Sequence, residues 1–376
     1  ALMRIAPHLV MSMPCVMPTY RPLFKSKLFI GVGLKFYDFI AFDRNKDLDE
    51  PQTIPPSSII TREHLDRLAP NLDRNAATGG ACWTDGQAYN SERLTLSFVM
   101  SAINAGADIF NHMEKTAYLT EHGKISGVTA KDVLTGETLN LRVNAVIDCT
   151  GPWAGQDKHF SENTKDKGPE VMARAVNLVI RRRLSDCALG IGVRTGGGKS
   201  QRLLFVAPWR TGNIVGTWYY QETELPDKLT ISESEISDCL SQINSAFPSL
   251  KLDHNDVSLI HVGMQPAHKG KGSNDEPEVW RHTRILYPGA RSGQEGLYWV
   301  QGVKLTTARA TAVEVVGRIA HYLNRKITPS KTHRTRLYGA DFRDYQEYRK
   351  NCITRLADRL PEQVILRLLA NYGSNT

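Results

Sequence analysis

Two short apolar runs, each ending in a glycine turn, constrain this chain more than any other feature. Asn144-Ala145-Val146-Ile147-Asp148-Cys149 leads into Thr150-Gly151-Pro152-Trp153. Leu297-Tyr298-Trp299-Val300-Gln301 leads into Gly302-Val303-Lys304-Leu305-Thr306-Thr307. Continuous apolar runs of this length suit strands of a parallel sheet covered on both faces. A glycine directly after such a strand brings backbone N–H groups close to a ligand. The second run continues into a Thr-opened helix, whose N-terminus carries partial positive charge and free N–H donors, and Lys304 adds a full charge there. The alternative is a pair of ordinary connections with Lys304 in water.

The rest of the chain surrounds these runs with alternating elements. Four prolines make 7–22 extended. Residues 28–42 read as a helix that buries an aromatic side through Phe36, Tyr37 and Phe39. A polar, Pro-rich loop covers 45–60, and Thr61 caps a short helix. Residues 79–87 read as turn, strand and turn, with Asp85 between. Asn90 and Ser91 open a helix that runs to Asn104 through Leu94, Phe98, Met100 and Ile103, and a strand is expected right after it, at 107–110. Strands follow at 116–121, 125–132 and 137–143, with Gly123 and Gly136 at the turns. The middle is strand-rich, at 175–180, 203–207, 214–217, 259–263 and 284–287. It contains one amphipathic helix over 232–247, with Ile236, Leu240 and Ile243 on one face. A long helix over 306–324 turns Ala310, Ala312, Val315, Val316 and Ile319 inward. The tail from Thr328 is polar and then helical. This pattern suggests an α/β nucleotide-binding domain with an inserted antiparallel sheet.

Composition removes several alternatives. The 376 residues are enough for two domains, and 41% hydrophobic with 23% charged residues excludes wholesale disorder. A net charge of +8, scattered along the chain, permits an anionic substrate or an anionic membrane surface but makes no case for nucleic acid. The basic clusters Arg181-Arg182-Arg183 and Lys269-Gly270-Lys271 read as solvated loop charges. Six cysteines without a Cys-x-x-Cys pair fit neither a zinc site nor a disulfide framework, which points to free thiols in a reducing, cytoplasmic setting. The histidines lack metal-ligand spacing. Gly196-Gly197-Gly198-Lys199-Ser200 lacks the spacing of a phosphate-binding P-loop and reads as a loop tip, and no Gly-x-Ser-x-Gly elbow is present. No apolar run approaches the roughly 20 residues that cross a bilayer. The chain starts with Ala1, and its first residues read as the continuation of a longer protein.

Several blocks, in order, resemble the FAD-dependent glycerol-3-phosphate dehydrogenase and oxidase family of D-amino-acid-oxidase-like flavoproteins. They are Ala6-Pro7-His8-Leu9-Val10, Met17-Pro18-Thr19-Tyr20 and the stretch from Leu34 to Asp38. Gly79-Gly80-Ala81 with Asp85, Glu92-Arg93-Leu94, Leu134-Thr135-Gly136-Glu137 and Cys149-Thr150-Gly151-Pro152-Trp153 follow. Pro208-Trp209, Gly216-Thr217, and Gly302 with Lys304-Leu305-Thr306-Thr307 and Arg309 complete the series. The resemblance implies an α/β and α+β architecture. A Rossmann-like FAD-binding domain, incomplete at its N-terminus, would carry an antiparallel-sheet substrate domain and the start of a helical C-terminal region. Mapped onto this chain, 1–60 belongs to the FAD and substrate region and 61–155 to the FAD-binding domain. Residues 156–290 form the substrate domain, 291–325 return to the FAD domain, and 326–376 begin the helical region.

By the same resemblance, FAD is held by Thr150, Gly151, Pro152, Trp153, Gly302, Val303, Lys304, Leu305 and Thr306. A hydride passes from a carbinol carbon to flavin N5, and electrons go on to a quinone or another acceptor, in some relatives at the inner face of a membrane. The substrate is a small molecule, a phosphorylated polyol, met by Lys304 and Arg281. No metal is implied. Three positions depart from the family pattern. Its Gly-x-Arg-Pro is Gly263-Met264-Gln265-Pro266, so Gln265 replaces a charged fork suited to phosphate. A histidine near the flavin is replaced by Asn177, which cannot act as a base at neutral pH. Gly-Gly-Lys is Gly302-Val303-Lys304. The dinucleotide glycine motif would lie upstream of Ala1. These departures keep open a different hydroxy acid, polyol phosphate or amine as substrate, or a non-catalytic flavin-binding homologue.

Overall fold

In a computed structural model of the chain, the described residues are 1–46, 48, 52–73, 77–154, 168–195, 200–223, 228–270, 276–287, 289 and 293–376. The helices are α1 (Leu2–Ile5), α2 (Lys27–Ile40), α3 (Arg62–Leu68), α4 (Ser91–Asn104), α5 (Glu233–Ala246), α6 (Ala308–Tyr322), α7 (Tyr345–Leu356) and α8 (Glu362–Tyr372). The strands up to the middle of the chain are β1 (Val10–Thr19), β2 (Ser58–Ile60), β3 (Gly79–Ala88), β4 (Met113–Glu121), β5 (Lys124–Asp132), β6 (Thr138–Arg142) and β7 (Val146–Asp148). Those after it are β8 (Val171–Ile180), β9 (Ala188–Thr195), β10 (Ser200–Trp209), β11 (Gly212–Glu222), β12 (Val257–His268), β13 (Glu278–Val279), β14 (Arg284–Leu286) and β15 (Leu297–Gln301).

Nine strands form one sheet in the order β13-β12-β8-β11-β10-β9-β1-β3-β2. Alternation along each strand gives this sheet two different faces. One face carries Val176, Leu178, Leu189, Ile191, Leu204, Val206, Val215 and Trp218, and it is closed by Ile236, Leu240 and Ile243 of α5. The helix is well specified: Ser232 and Glu235 form a reciprocal capping box at its start. The indole N–H of Trp218 donates to Gln242 Oε1 at 3.0 Å, so this large ring is buried without an unpaired donor. Arg174 reaches Glu222 on β11 at 2.7 Å and Glu235 on α5 at 2.6 Å, pinning helix to sheet. Burial takes the Cys239 thiol up to about 11.

Two three-stranded sheets also form among the described residues, β14-β15-β7 and β4-β5-β6. The first contains the two apolar runs. β7 and β15 are parallel neighbours, with Leu297 opposite Val146 and Trp299 opposite Asp148. Unlike the expectation of a strand covered on both faces, Ile147 of β7 is exposed. At the C-terminal end, α7 and α8 pack on each other through Cys352, Ile365 and Leu369. Arg93 of α4 joins them by donating to Asn371 O at 3.0 Å and stacking over Tyr372.

Several sequence readings need correction. Residues 79–88 are one continuous strand, because β3 pairs along its whole length with β1. Residues 107–110 lie outside any strand; the chain enters β4 only at Met113. In α6 only Val315 of the expected inward residues is buried: Ala310, Ala312 and Val316 are exposed, and Ile319 is intermediate. The aromatic side of α2 faces outward, with Phe36, Tyr37 and Phe39 exposed, because its small and polar side meets the sheet instead. The 196–199 tip and Lys271 lie outside the described residues.

Candidate functional site

Parallel neighbours leave the sheet from the same end, so the turn after β7 and the turn after β15 lie side by side. A crevice outside the carboxyl ends of parallel strands is where α/β sheets bind ligands. Asp148 builds the first turn. It is buried, and its Oδ1 accepts from the Thr150 N–H at 3.0 Å and from Thr150 Oγ1 at 2.6 Å, while Oδ2 accepts from the Tyr118 hydroxyl. Gly151 then takes φ +67°, which suits glycine, and Gly151–Trp153 form a short 3-10 turn. Trp153 is half exposed. Gln301 ties the two turns together: its Nε2 donates to Ala154 O, while its buried Oε1 has no partner among the described residues.

The second turn is anchored by Gly302, at φ +69°. A Cβ there would stand 3.4 Å from His282 O, 3.5 Å from Trp280 Cε3 and 3.7 Å from Pro266 Cγ. A side chain at Gly302 would therefore be crowded by Pro266 of β12 and by Trp280 and His282. Two hydrogen bonds hold these pieces: Trp280 N–H to Pro266 O at 3.0 Å, and Thr283 Oγ1 to Gly302 O at 3.4 Å. Val303, Lys304, Leu305 and Thr306 follow, all exposed. Helix α6 opens two residues later than the sequence suggests, at Ala308. Thr307 makes no side-chain cap to the helix; its hydroxyl donates back to Lys304 O at 3.1 Å.

Beside Gly302 lies a cavity of about 280 Å³, lined by His268, Glu278, Val279, Trp280, Arg281, His282 and Arg284. Its charge is mainly positive. Arg284 stacks on Trp280 at 3.8 Å, and Arg281, 81% exposed on its side chain, makes a long ion pair of 3.7 Å with Glu278. The Trp280 indole N–H is buried and without an acceptor among the described residues.

Asn177 occupies the middle of β8, on the face away from α5. Its Oδ1 accepts from Thr217 Oγ1 at 2.9 Å. A Cβ at Gly216 would come within 2.1 Å of that oxygen, so only glycine fits opposite it. In register on β12, Asn177 faces His261, and Ala173 faces Gln265. Asn177 and Gln265 are thus about 13 Å apart along the sheet. The structure brings Thr150 to Trp153, Gly302 to Thr306, Gln265 and Arg281 into one neighbourhood and sets Asn177 further along the same sheet.

Sequence reasoning did not single out His261, Trp280 or His282. His261 shares the Asn177 face, is half-buried and meets the Trp209 ring edge-on at 5.7 Å. The expected strand at 259–263 already held it, but strand pairing, which the sequence leaves open, is what sets it opposite Asn177. On the same face the sheet is open at Gly263, where a side chain would meet no atom of the described residues within 4 Å. The open sheet at Gly263 and the strand-end turn at Gly302, whose Cβ position approaches Pro266 of the same strand, suit a planar ring such as a flavin. Among the described residues, no cluster of His, Cys, Asp or Glu could hold a metal ion.

Comparison with known proteins agrees with this geometry. The sequence model described as FAD dependent oxidoreductase matches residues 33–318. A glycerol-3-phosphate dehydrogenase of Synechocystis is 26% identical over 99% of this chain and 66% of its own length. The mitochondrial glycerol-3-phosphate dehydrogenase of Schizosaccharomyces pombe is 26% identical over 99% of this chain and 57% of its own. The chain thus spans less than two thirds of these relatives. Among solved structures, a Bacillus halodurans glycerol-3-phosphate dehydrogenase complexed with FAD superposes with a TM-score of 0.75 at 20% identity, covering 100% of this chain and 65% of that one. An L-proline dehydrogenase from P. horikoshii reaches 0.55 at 17% identity over 85% of this chain and 75% of its own. Both share the fold.

Proposed function

Because the chain belongs to the FAD dependent oxidoreductase family, we propose that it is the flavin- and substrate-binding part of an enzyme that oxidises sn-glycerol 3-phosphate to dihydroxyacetone phosphate. One observation carries this reading: Gly302, at the end of β15, is hemmed in so that a side chain there would meet Pro266 of β12 and Trp280 and His282, which line the basic cavity. A cofactor at the strand ends and an anion in the cavity would then be neighbours. The names of the relatives from Synechocystis and S. pombe support the substrate.

Bound FAD supplies a two-electron acceptor for the carbinol carbon. The turn at Thr150 to Trp153 offers the Gly151 N–H and the turn Gly302 to Thr306 its own backbone N–H groups to hold it, and Lys304 adds positive charge. Arg281 and Lys304 bind the phosphate; a guanidinium suits it through paired N–H donors. Asn177, whose Oδ1 is taken by Thr217, has its amide NH₂ left to orient the substrate hydroxyl. His261, across the sheet from it, is the titratable ring that takes the hydroxyl proton. A quinone or another small acceptor completes the turnover.

The test is the visible spectrum of the full-length protein, recorded without oxygen before and after glycerol 3-phosphate is added. Bleaching of the flavin band is expected, and His261→Ala should slow it about 100-fold or more. A flavin band that glycerol 3-phosphate leaves unchanged sinks the substrate assignment. Gln265 favours a second reading, a less highly charged hydroxy acid or amine, since an amide gives the site one positive charge fewer than an arginine. Bleaching by such a donor but not by glycerol 3-phosphate would decide for it.

A further inference from the structure

The ladder between β7 and β15 ends where Trp299 faces Asp148. Past that point one chain enters the Gly151–Trp153 turn and the other reaches Gly302. The Gln301 amide bridges them there, its Nε2 donating to Ala154 O. Other groups fix the rest of each turn. Asp148 Oδ1 accepts from Thr150 N–H at 3.0 Å and from Thr150 Oγ1 at 2.6 Å, and Thr283 Oγ1 donates to Gly302 O at 3.4 Å. The far end of the first turn has longer bonds of its own. Trp153 N–H donates to Thr150 O at 3.4 Å, and Ala154 N–H to Gly151 O at 3.2 Å.

Gln301 is an unfavourable choice if burial is all that the position requires. It is the last of five consecutive buried residues, Leu297 to Gln301, and is 4% exposed. Trp299, two residues earlier and so on the same face, packs with Leu297, Ile125 and Ala154. A methionine or leucine would serve that packing. The Gln301 Oε1 is buried with no partner among the described residues, and such an orphaned acceptor costs free energy. Ala154 is buried as well, so an apolar residue at 301 would take this donor away from the Ala154 carbonyl. The exchange replaces one orphaned acceptor with another and leaves the folding balance nearly level.

We propose that Gln301 is a positioning residue: its amide sets the first cofactor turn against the second, and its contribution appears in flavin binding, not in stability. The proposal rests on the flavin reading above. With the amide in place, the Gly151 N–H stands at a fixed position beside the backbone N–H groups that follow Gly302. Donors already held in place bind a ligand more tightly, because little ordering remains to be done on binding. Gln301 acts through the turns and does not touch the cofactor, since its Oε1 is sealed from the surface and its Nε2 is used by Ala154.

The full-length protein carrying Gln301→Met tests this, with Gln301→Leu as a second apolar shape should the first fit poorly. Three quantities are compared with the parent. They are the urea midpoint of the FAD-free protein, the hydrogen exchange of the Trp153 and Ala154 amides without FAD, and the FAD dissociation constant from the quenching of flavin fluorescence. The midpoint should stay that of the parent. Exchange at Trp153 and Ala154 should quicken about tenfold while Leu178 and Val215 keep the parent's rate, and FAD should bind about tenfold more weakly. Parent-like exchange at Trp153 and Ala154 in both variants overturns the proposal. So does a lowered midpoint in both, with faster exchange beneath α5 as well, since Gln301 would then serve stability alone. FAD that the parent binds and both variants hold as tightly defeats this proposal but not the flavin reading. A parent that takes up no FAD defeats the flavin reading and this proposal with it.

Discussion

On β8, Val176, Leu178 and Ile180 point under α5 into the closed core, while Asn177 points to the other side and stays half-buried. The same division runs across the nine-stranded sheet. Under α5 the alternate positions are Leu, Ile, Val and Trp. On the far face Leu203, Phe205 and Leu259 remain exposed around Asn177, His261 and Gln265. Residues one step out of phase on one strand therefore serve different ends. One face supplies burial, about 1.5–3 kcal/mol for each large side chain, and the other leaves polar groups free to meet a ligand. A ligand site can tolerate this exposure because the core opposite holds the strands in place.

Substitutions that separate the two faces should differ most. Trp218→Ala removes a fully buried ring and should cost about 3–5 kcal/mol in urea unfolding, whereas Phe205→Ala on the far face should cost less than about 1 kcal/mol. Equal losses would erase the distinction. His8 extends the contrast to pH. It is fully buried against Phe342 with neither ring nitrogen bonded among the described residues, and burial, with Arg93 nearby, lowers its pKa to about 4 from 6.5. The unfolded chain takes up a proton there that the folded chain refuses. Stability should thus hold above pH 6.5, fall as the pH drops toward 4 and level off below, a loss of about 3 kcal/mol. Unfolding curves across that range check it, and His8→Leu should flatten the slope.

Gly302→Val forces a branched side chain into positive φ, which should cost about 1–2 kcal/mol. It should also weaken FAD retention, read by the release of free-flavin fluorescence. Retention equal to that of the parent would remove this turn from the site. The smallest effect concerns thiols. Cys149, exposed beside the first turn, should react with a thiol reagent in the native protein, while the buried Cys239 should react only after unfolding.

Much of this layout is legible in the sequence because it is local. Thr61, Asn90 and Ser232 cap the helices that follow them, as their side chains and spacing imply. The runs ending at Gln301 and Asp148 are strands because they are short, apolar and stopped by glycine. Strand pairing is not local. The pairing of Asn177 with His261, and of β12 with β8 throughout, depends on the whole sheet. The inverted face of α2 is hidden for a related reason. Its periodicity is that of any amphipathic helix, and only the hydrogen bonds of Ser57 and Asp38 decide which side turns in. Of the candidate site, the sequence marks the turns themselves but not the cavity beside Gly302, whose Trp280 and His282 carry no motif.

Hydrogen exchange of the full-length protein with and without FAD tests whether the two strand-end turns hold the cofactor. Exchange should slow at the amides of Gly151, Trp153 and Ala154 and of Val303 to Thr307, with no change beneath α5 at Leu178 or Val215. Bound FAD that leaves both turns unprotected, or that protects a different part of the chain, would contradict it.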